Sequence, residues 1–274
     1  LMKGREDMPK IADLIQDEYG LFQLREGGVS EEEYLEDGFQ SEEWLTKEIK
    51  ENVAGLWDPY YEFNWELMRP VKEVLDYGAG IGWFVNFLRR KKGVHALGAE
   101  ISRYLRRNAI MSAKIYHPEH PKVNKQFDVV RMALVLEHIR NPRKFLEEKL
   151  KIWKPWEILV VVPNEFNPLQ RKVGGDWFIS RWHWNYFTPA SLVTLFKLFG
   201  YTAVYRGATF PMELFILLGF DYRGNDELGR KCHLARLRLE RRVGPRIFKL
   251  YGWLHRRLVW GREMIYLFRR ECVF

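Results

Sequence analysis

From Val71 onward the chain alternates short, strongly apolar runs with longer segments of mixed polarity. Val74-Leu75-Asp76, His95 to Ala99, Phe127 to Met132, Ile158 to Val162 and Thr202 to Tyr205 are the apolar runs. Each is too short for a helix and lacks the alternation of a half-exposed strand, so the pattern predicts strands buried on both faces. Helix-like segments between them predict a parallel sheet covered on both sides. The stretch from Ile11 to Val53 has a different texture. It is rich in Glu and aromatic residues, shows no strand-like alternation, and holds a turn at Gly27-Gly28 followed by the helix-start signal Ser30-Glu31-Glu32-Glu33. After about Gly224 the pattern becomes helical and basic, with a break at Gly244-Pro245. These shifts divide the chain into a helical lead-in at 1–69, an α/β core at 70–222 with an insert at 165–187, and a basic helical extension at 223–274.

Composition adds limits. The chain has 274 residues, 47% apolar and 15% aromatic, enough for one substantial core. It contains no uncharged apolar run of eighteen residues, and acidic residues are scattered where a signal peptide needs an apolar stretch. A cytoplasmic location is expected, with Cys232 and Cys272 as reduced thiols at a spacing without metal or redox meaning. The net charge of +8 is unevenly spread. Residues 1–50 hold 6 Lys and Arg against 14 Asp and Glu, while residues 230–270 hold 13 against only Glu240 and Glu263. Acidic and basic ends of one chain can pack against each other, so the charge is not in itself a nucleic-acid signal.

Candidate chemistry begins at Asp76-Tyr77-Gly78-Ala79-Gly80-Ile81-Gly82, where an apolar strand runs into a glycine turn and then an amphipathic helix. Gly78 and Gly80 let a ligand approach the backbone, and the helix start offers free amide donors. A dinucleotide fingerprint requires its third glycine where Trp83 stands, and Asp76 would repel a pyrophosphate. A cofactor carrying a sulfonium and an ammonium group suits that carboxylate better. The next predicted strand ends in Glu100, a carboxylate able to accept two ribose hydroxyls.

The third block runs from Phe127 through Met132-Ala133 to Leu136-Glu137-His138, and on to the strand Ile158 to Val162 and Pro163-Asn164. In this order, over roughly residues 70–207, the blocks resemble the class I methyltransferases of the ubiquinone-biosynthesis and small-molecule type. The resemblance implies a Rossmann-like, doubly wound, seven-stranded and mostly parallel sheet that binds S-adenosylmethionine and releases S-adenosylhomocysteine. It implies Asp76, Tyr77, Gly78, Ala79 and Gly80 around the methionine part, Glu100 on the ribose, Ile101 against the adenine, and Met132-Ala133 near the amino-acid end. No metal is expected. Two places depart from the family pattern. The span from Ser102 to Phe127 is short and leaves Glu119 as the candidate for the adenine amino group, and Lys154-Pro155-Trp156-Glu157 stands where the family has proline and two glycines.

Methyl transfer requires alignment of the acceptor, and a hydroxyl acceptor also requires a base. His183, in the aromatic stretch Trp182-His183-Trp184-Asn185-Tyr186, is the first candidate base and His138 the second. Arg171 and Arg181 are candidates for holding an anionic acceptor, and Tyr60 and Tyr61 for closing over the cofactor. The expected reaction is methylation of a hydroxyl on a small molecule, such as a sugar, a quinone precursor or a lipid-linked intermediate. Nitrogen, carbon and RNA acceptors rank below it, and the alternative from another class is a non-catalytic cofactor-binding or scaffold protein. The extension around Arg246 to Arg262 interleaves basic and apolar residues with Trp253 and Trp260. It can cover the core, form a homodimer contact or lie peripherally on the anionic inner membrane surface. Nucleic acid ranks last because no RNA-binding module is recognisable.

Overall fold

A computed structural model describes residues 10–26, 42–68, 70–174, 179–180 and 182–271. Its strands, in chain order, are β1 (Leu14–Gln16), β2 (Phe22–Leu24), β3 (Glu73–Tyr77), β4 (His95–Ala99), β5 (Ile115–Tyr116), β6 (Val129–Ala133), β7 (Glu157–Pro163), β8 (Asn185–Tyr186), β9 (Tyr201–Ala208) and β10 (Glu263–Arg270). The α-helices are α1 (Glu42–Val53), α2 (Asp58–Leu67), α3 (Trp83–Lys91), α4 (Arg103–Arg107) and α5 (Pro142–Trp153). They continue with α6 (Pro168–Val173), α7 (Pro189–Lys197), α8 (Glu213–Leu217), α9 (Asp226–Val243) and α10 (Ile247–Leu258).

Seven strands form one sheet in the order β5-β4-β3-β6-β7-β10-β9. The pairs from β5 to β7 are parallel, and β10 runs antiparallel to both of its neighbours. This is the mostly parallel, doubly wound sheet expected from the sequence. Both faces are covered, which is why the central strands are apolar throughout: Ile158 to Val162 of β7 are all buried. One face packs Leu146, Leu150 and Trp153 of α5 with Leu192, Leu195 and Phe196 of α7. The opposite face packs α2, α3 and α10 through Phe63, Phe84, Val85, Leu88, Phe248 and Tyr251. Helix starts follow their cap signals: Asn141 before Pro142, and a Thr188–Ser191 capping box before α7.

Two local expectations are corrected. The basic extension is not helical to its end, because Met264-Ile265-Tyr266-Leu267-Phe268 forms the buried centre of β10 and inserts between β7 and β9. Five consecutive apolar residues bracketed by charges are the signature of a strand buried on both faces, and they outweigh the helical texture upstream. The lead-in likewise contains strands. β1 and β2 pair antiparallel, and β2 pairs with β8 from the insert, giving a small separate sheet. Strands of three residues are too short for alternation to register, and a distant segment supplies the pairing. The short span between Ser102 and Phe127 holds a five-residue helix, α4, and a two-residue strand, β5, paired with β4. The Gly27-Gly28 turn, the Ser30 helix start and Cys272 lie outside the described residues. Cys232 is a buried free thiol.

The basic extension covers the core. Phe248 of α10 stacks on Phe63 at 5.0 Å between centroids, and α10 lies along β9. The acidic and basic ends also meet at one place. Glu51 of α1 is buried and engages Arg230 and His233 of α9, with Trp57 Nε1 donating to it at 2.9 Å. Among the described residues, no helix is long and apolar enough to cross a membrane.

Burial pushes the Glu51 carboxyl up, but His233, Trp57 and Arg230 pull it down further, to about 2. A folded-state value below the ordinary 4.5 stabilises the fold above pH 4.5, and that contribution is lost as the pH falls through about 2. Glu51→Gln is therefore expected to lower Tm at neutral pH and to flatten its decline between those two values. Parallel Tm profiles for variant and parent would show that the contact contributes nothing.

Candidate functional site

Strands β3 and β6 are neighbours at the centre of the sheet, where the winding direction reverses, and in open α/β sheets ligands bind beyond the C-terminal strand ends at such a point. The glycine turn occupies the tip of β3. Gly78 and Ala79 donate to the Ala99 carbonyl at 2.8 and 3.0 Å, which ties the turn to β4. Gly78, at φ +78°, has no room for a side chain: a Cβ there would stand 2.3 Å from Val135 Cγ2. Gly80, at φ +57°, is the opposite case, since a Cβ would meet nothing within 4 Å. Open space therefore lies on the side where a side chain would stand. Glu100, nearly buried at the tip of β4, accepts the Gly80 amide at 2.9 Å through Oε2 and the Ser102 amide at 2.8 Å through Oε1. Burial pushes its carboxyl above the ordinary range, and these amides oppose the shift.

Asp76 has a different setting from the one read in the sequence. Its carboxylate is buried and accepts Arg131 Nη1 of β6 at 2.7 Å. Arg131 Nε donates to Asn64 of α2 at 3.2 Å, and the guanidinium lies 4.4 Å from the Phe84 ring centroid. The charge of Asp76 is therefore already met by a protein cation. Tyr61, read as a cofactor contact, is a packing residue here: its ring lies against Phe84 and Phe87, and its hydroxyl donates to Asn52 at 2.9 Å. Tyr60 is buried in the same layer.

A cavity of about 580 Å³ opens beside the turn, lined by Tyr77, Ile101, His117, Glu119, Phe145 and Lys149 among others. Glu119 is paired with Lys149 at 3.1 Å. Met132 is fully buried under the sheet end, and Ala133 closes β6. Leu134 follows with φ +57°, an uncommon conformation for a residue with a side chain, and donates its amide to the Val161 carbonyl at 2.8 Å. Lys154, in place of the family's glycine region, also takes a left-handed φ of +45° to end α5. Its loop is held by Arg270 over the Trp156 ring and by Arg269 on the buried Glu157.

The structure brings His138 and His183 together, with ring centroids 5.0 Å apart in an edge-to-face arrangement. Glu137 and His138 lie on the 3-10 turn after β6, and His183 on the loop before β8. One backbone and two side-chain bonds join the two segments: Trp184 N donates to the Glu137 carbonyl at 2.7 Å, and Asn185 Nδ2 to those of Leu136 and Ile139. His138 Nδ1 is 2.7 Å from the Trp182 carbonyl, and His183 Nδ1 is 3.0 Å from Glu165 Oε1. A carbonyl and a carboxylate can only accept, so each ring carries a proton on Nδ1. Burial and the neighbouring His183 push the His138 imidazole down to about 4. Glu137 is buried with neither carboxylate oxygen hydrogen-bonded among the described residues, and desolvation pushes it well above the ordinary range, with Glu165 and Glu263 adding to the shift. Neither Glu137 nor Glu165 was singled out from the sequence. The signals were an acid adjacent to His138 after one strand and an acid following Pro163-Asn164 after the next. Arg171 is exposed on α6, and Arg181 lies outside the described residues.

Comparison with known proteins places this geometry. The sequence model of the family described as "Methyltransferase domain" matches residues 49–206, more than half of the chain. The chain belongs to this methyltransferase family. No curated protein sequence matches it. Among solved structures, a SAM-dependent methyltransferase from Archaeoglobus fulgidus is 15% identical, with 84% of this chain and 100% of that one covered at a TM-score of 0.53. The magnesium protoporphyrin IX methyltransferase of Synechocystis PCC 6803, solved with bound SAH, is 13% identical, with 88% and 97% covered at a TM-score of 0.52. At such identities the shared feature is the fold. This methyltransferase domain thus combines the family's sheet with a buried Asp76–Arg131 pair and a two-histidine cluster.

Removing one partner of a buried ion pair strands the other charge, at a cost of about 3–5 kcal/mol. Arg131→Met is expected to lose that much unfolding free energy in denaturant titration, and Asp76→Leu added to it to recover most of the loss. A single variant as stable as the parent would show that the pair does not anchor the turn.

Proposed function

We propose that this methyltransferase moves the methyl group of S-adenosylmethionine to a hydroxyl of a small-molecule acceptor. The observation that carries the reading is the continuity of two halves of one site. Val135 is the side chain that fills the space beside Gly78, and two residues later the same turn carries Glu137 and His138. A cradle for the donor and a group able to assist an acceptor therefore adjoin.

The residues fit the donor. Gly80 leaves open space where a side chain would stand, Glu100 supplies a carboxylate for ribose hydroxyls beside it, and Tyr77 and Ile101 line a cavity whose other walls include His117, Glu119, Phe145 and Lys149. Gly78, Ala79 and the backbone at Met132-Ala133 belong to the donor side in this reading. Asp76 acts on the donor indirectly, by holding the turn through Arg131. Bound S-adenosylmethionine supplies an electrophilic methyl group on a sulfonium. The chain's own task is to align the acceptor oxygen and help it lose a proton. His183, with Glu165 on Nδ1 and its lone pair on Nε2, has the arrangement of a base held in one tautomer. His138 is the second group of the cluster.

S-adenosylmethionine or its demethylated product is expected to raise Tm, and Glu100→Ala to reduce that shift strongly. An unchanged shift in Glu100→Ala would remove that residue from the donor site, and no shift with either ligand would sink the donor assignment. With a labelled donor and a panel of hydroxylated acceptors, His183→Ala is expected to lower kcat by about 10²–10⁴-fold while leaving the donor-induced shift intact. An unaltered rate would exclude His183 from the reaction.

A further inference from the structure

We propose that the outward face of α10 docks on an anionic phospholipid bilayer. The helix has two faces of different character. Ile247, Phe248, Tyr251 and His255 are buried on the inner one, and a Cβ at Gly252 would collide with the Tyr205 hydroxyl of β9, so this side is committed to the core. On the outer side Arg246, Lys249, Leu250, Trp253, Arg256 and Arg257 are all exposed. At 3.6 residues per turn these positions span about 120° of the helix circumference, opposite the buried set.

Charge and apolar surface together select the partner. No acidic residue occurs between Glu240 and Glu263. The side chains of Arg246, Lys249 and Arg257 make no ion pair among the described residues. Arg256 Nη1 donates to the Arg206 carbonyl at 3.1 Å, which sets another exposed basic residue, on β9, beside the helix. Within this basic stripe Leu250 is 54% and Trp253 51% exposed. Lysine and arginine are drawn to anionic headgroups, tryptophan settles at the membrane–water boundary, and leucine gains by leaving water. A bilayer surface is the partner that meets all three demands. A second copy of the chain fits poorly, because a two-fold contact through this stripe sets basic residues against basic residues. A nucleic-acid backbone matches the charges but offers Leu250 no apolar phase.

The surface adjoins the functional end of the sheet. Asn164, which follows β7, donates through Nδ2 to the carbonyls of Val259 and Gly261 at 2.9 and 3.0 Å. The end of α10 is thereby fastened one residue from Glu165, the partner of His183. Docking is independent of the reaction proposed above; only its nearness to an acceptor rests on that reading.

The test is co-sedimentation of the full chain with vesicles of phosphatidylcholine containing about 30% phosphatidylserine, beside vesicles of phosphatidylcholine alone. Binding to the anionic vesicles is expected, with little to the neutral ones, and it should fall as added salt screens the charges. Each basic residue near such a surface contributes about fivefold in affinity, so combining Arg246→Gln, Lys249→Gln and Arg257→Gln is expected to weaken binding roughly 100-fold. Trp253→Ser is expected to weaken it ~10-fold and to leave the salt dependence as it was. The altered side chains are exposed, so Tm and the donor-induced shift should match the parent, which separates loss of docking from misfolding. Failure to bind the anionic vesicles, or parental binding in the triple variant, would overturn the proposal. So would tighter binding to mixed-sequence RNA than to the vesicles, or a dimer in analytical ultracentrifugation that Trp253→Ser abolishes.

Discussion

A carboxylate buried at the tip of the central strand is the constraint around which the crevice is built. Asp76 immediately precedes the glycine turn, and its charge at that depth is tolerable only beside a cation. Arg131 supplies it from β6, the neighbouring strand across the winding reversal. The long guanidinium side chain in turn needs acceptors and apolar cover, which α2 provides through Asn64 and Tyr60 and α3 through Phe84. One ion pair thus connects the two strands that flank the crevice with the helix that closes the sheet face. It also ties down the strand from which the turn departs.

Beyond that anchor the work divides along the sheet edge. The glycine turn after β3 and Glu100 after β4 are bonded to each other, while the segments after β6 and β7 carry Glu137, His138 and Glu165. Leu134 marks the border. Its left-handed backbone redirects the chain after β6 so that Val135 meets the glycine turn and the following 3-10 turn faces His183. Strain of this kind persists where surrounding contacts over-determine it, here the ladder to Val161 and the bonds from Trp184 and Asn185. The small sheet of β1, β2 and β8 braces the same loop from outside, which gives the N-terminal segment a role in positioning His183.

The sequence carried the parts of this architecture whose signals are local. Apolar runs such as Ile158 to Val162 report burial on both faces, and glycine spacing reports a backbone turn, because each depends on neighbours in the chain. What it could not report was partnership. Nothing near Asp76 reveals that Arg131 lies alongside it, so its carboxylate read as available to a cationic ligand. Tyr61 read as a lid because its actual partners, Asn52, Phe84 and Phe87, come from two other helices. Glu165 was invisible as the partner of His183 because seventeen residues, α6 among them, separate the two in the chain. In β10 the local signal was present, five apolar residues in a row, but the basic helices before it dominated the reading.

The central claim is that the glycine turn and Glu100 form the donor cradle of this methyltransferase. Hydrogen exchange read by mass spectrometry, with and without S-adenosylhomocysteine, addresses it most directly, because the Gly80 and Ser102 amides donate to Glu100, the carboxylate proposed to hold the ribose. The account predicts slowed exchange confined to peptides spanning 77–83 and 100–102 and the walls of the adjoining cavity. Unchanged exchange there, or protection concentrated elsewhere in the chain, would contradict it.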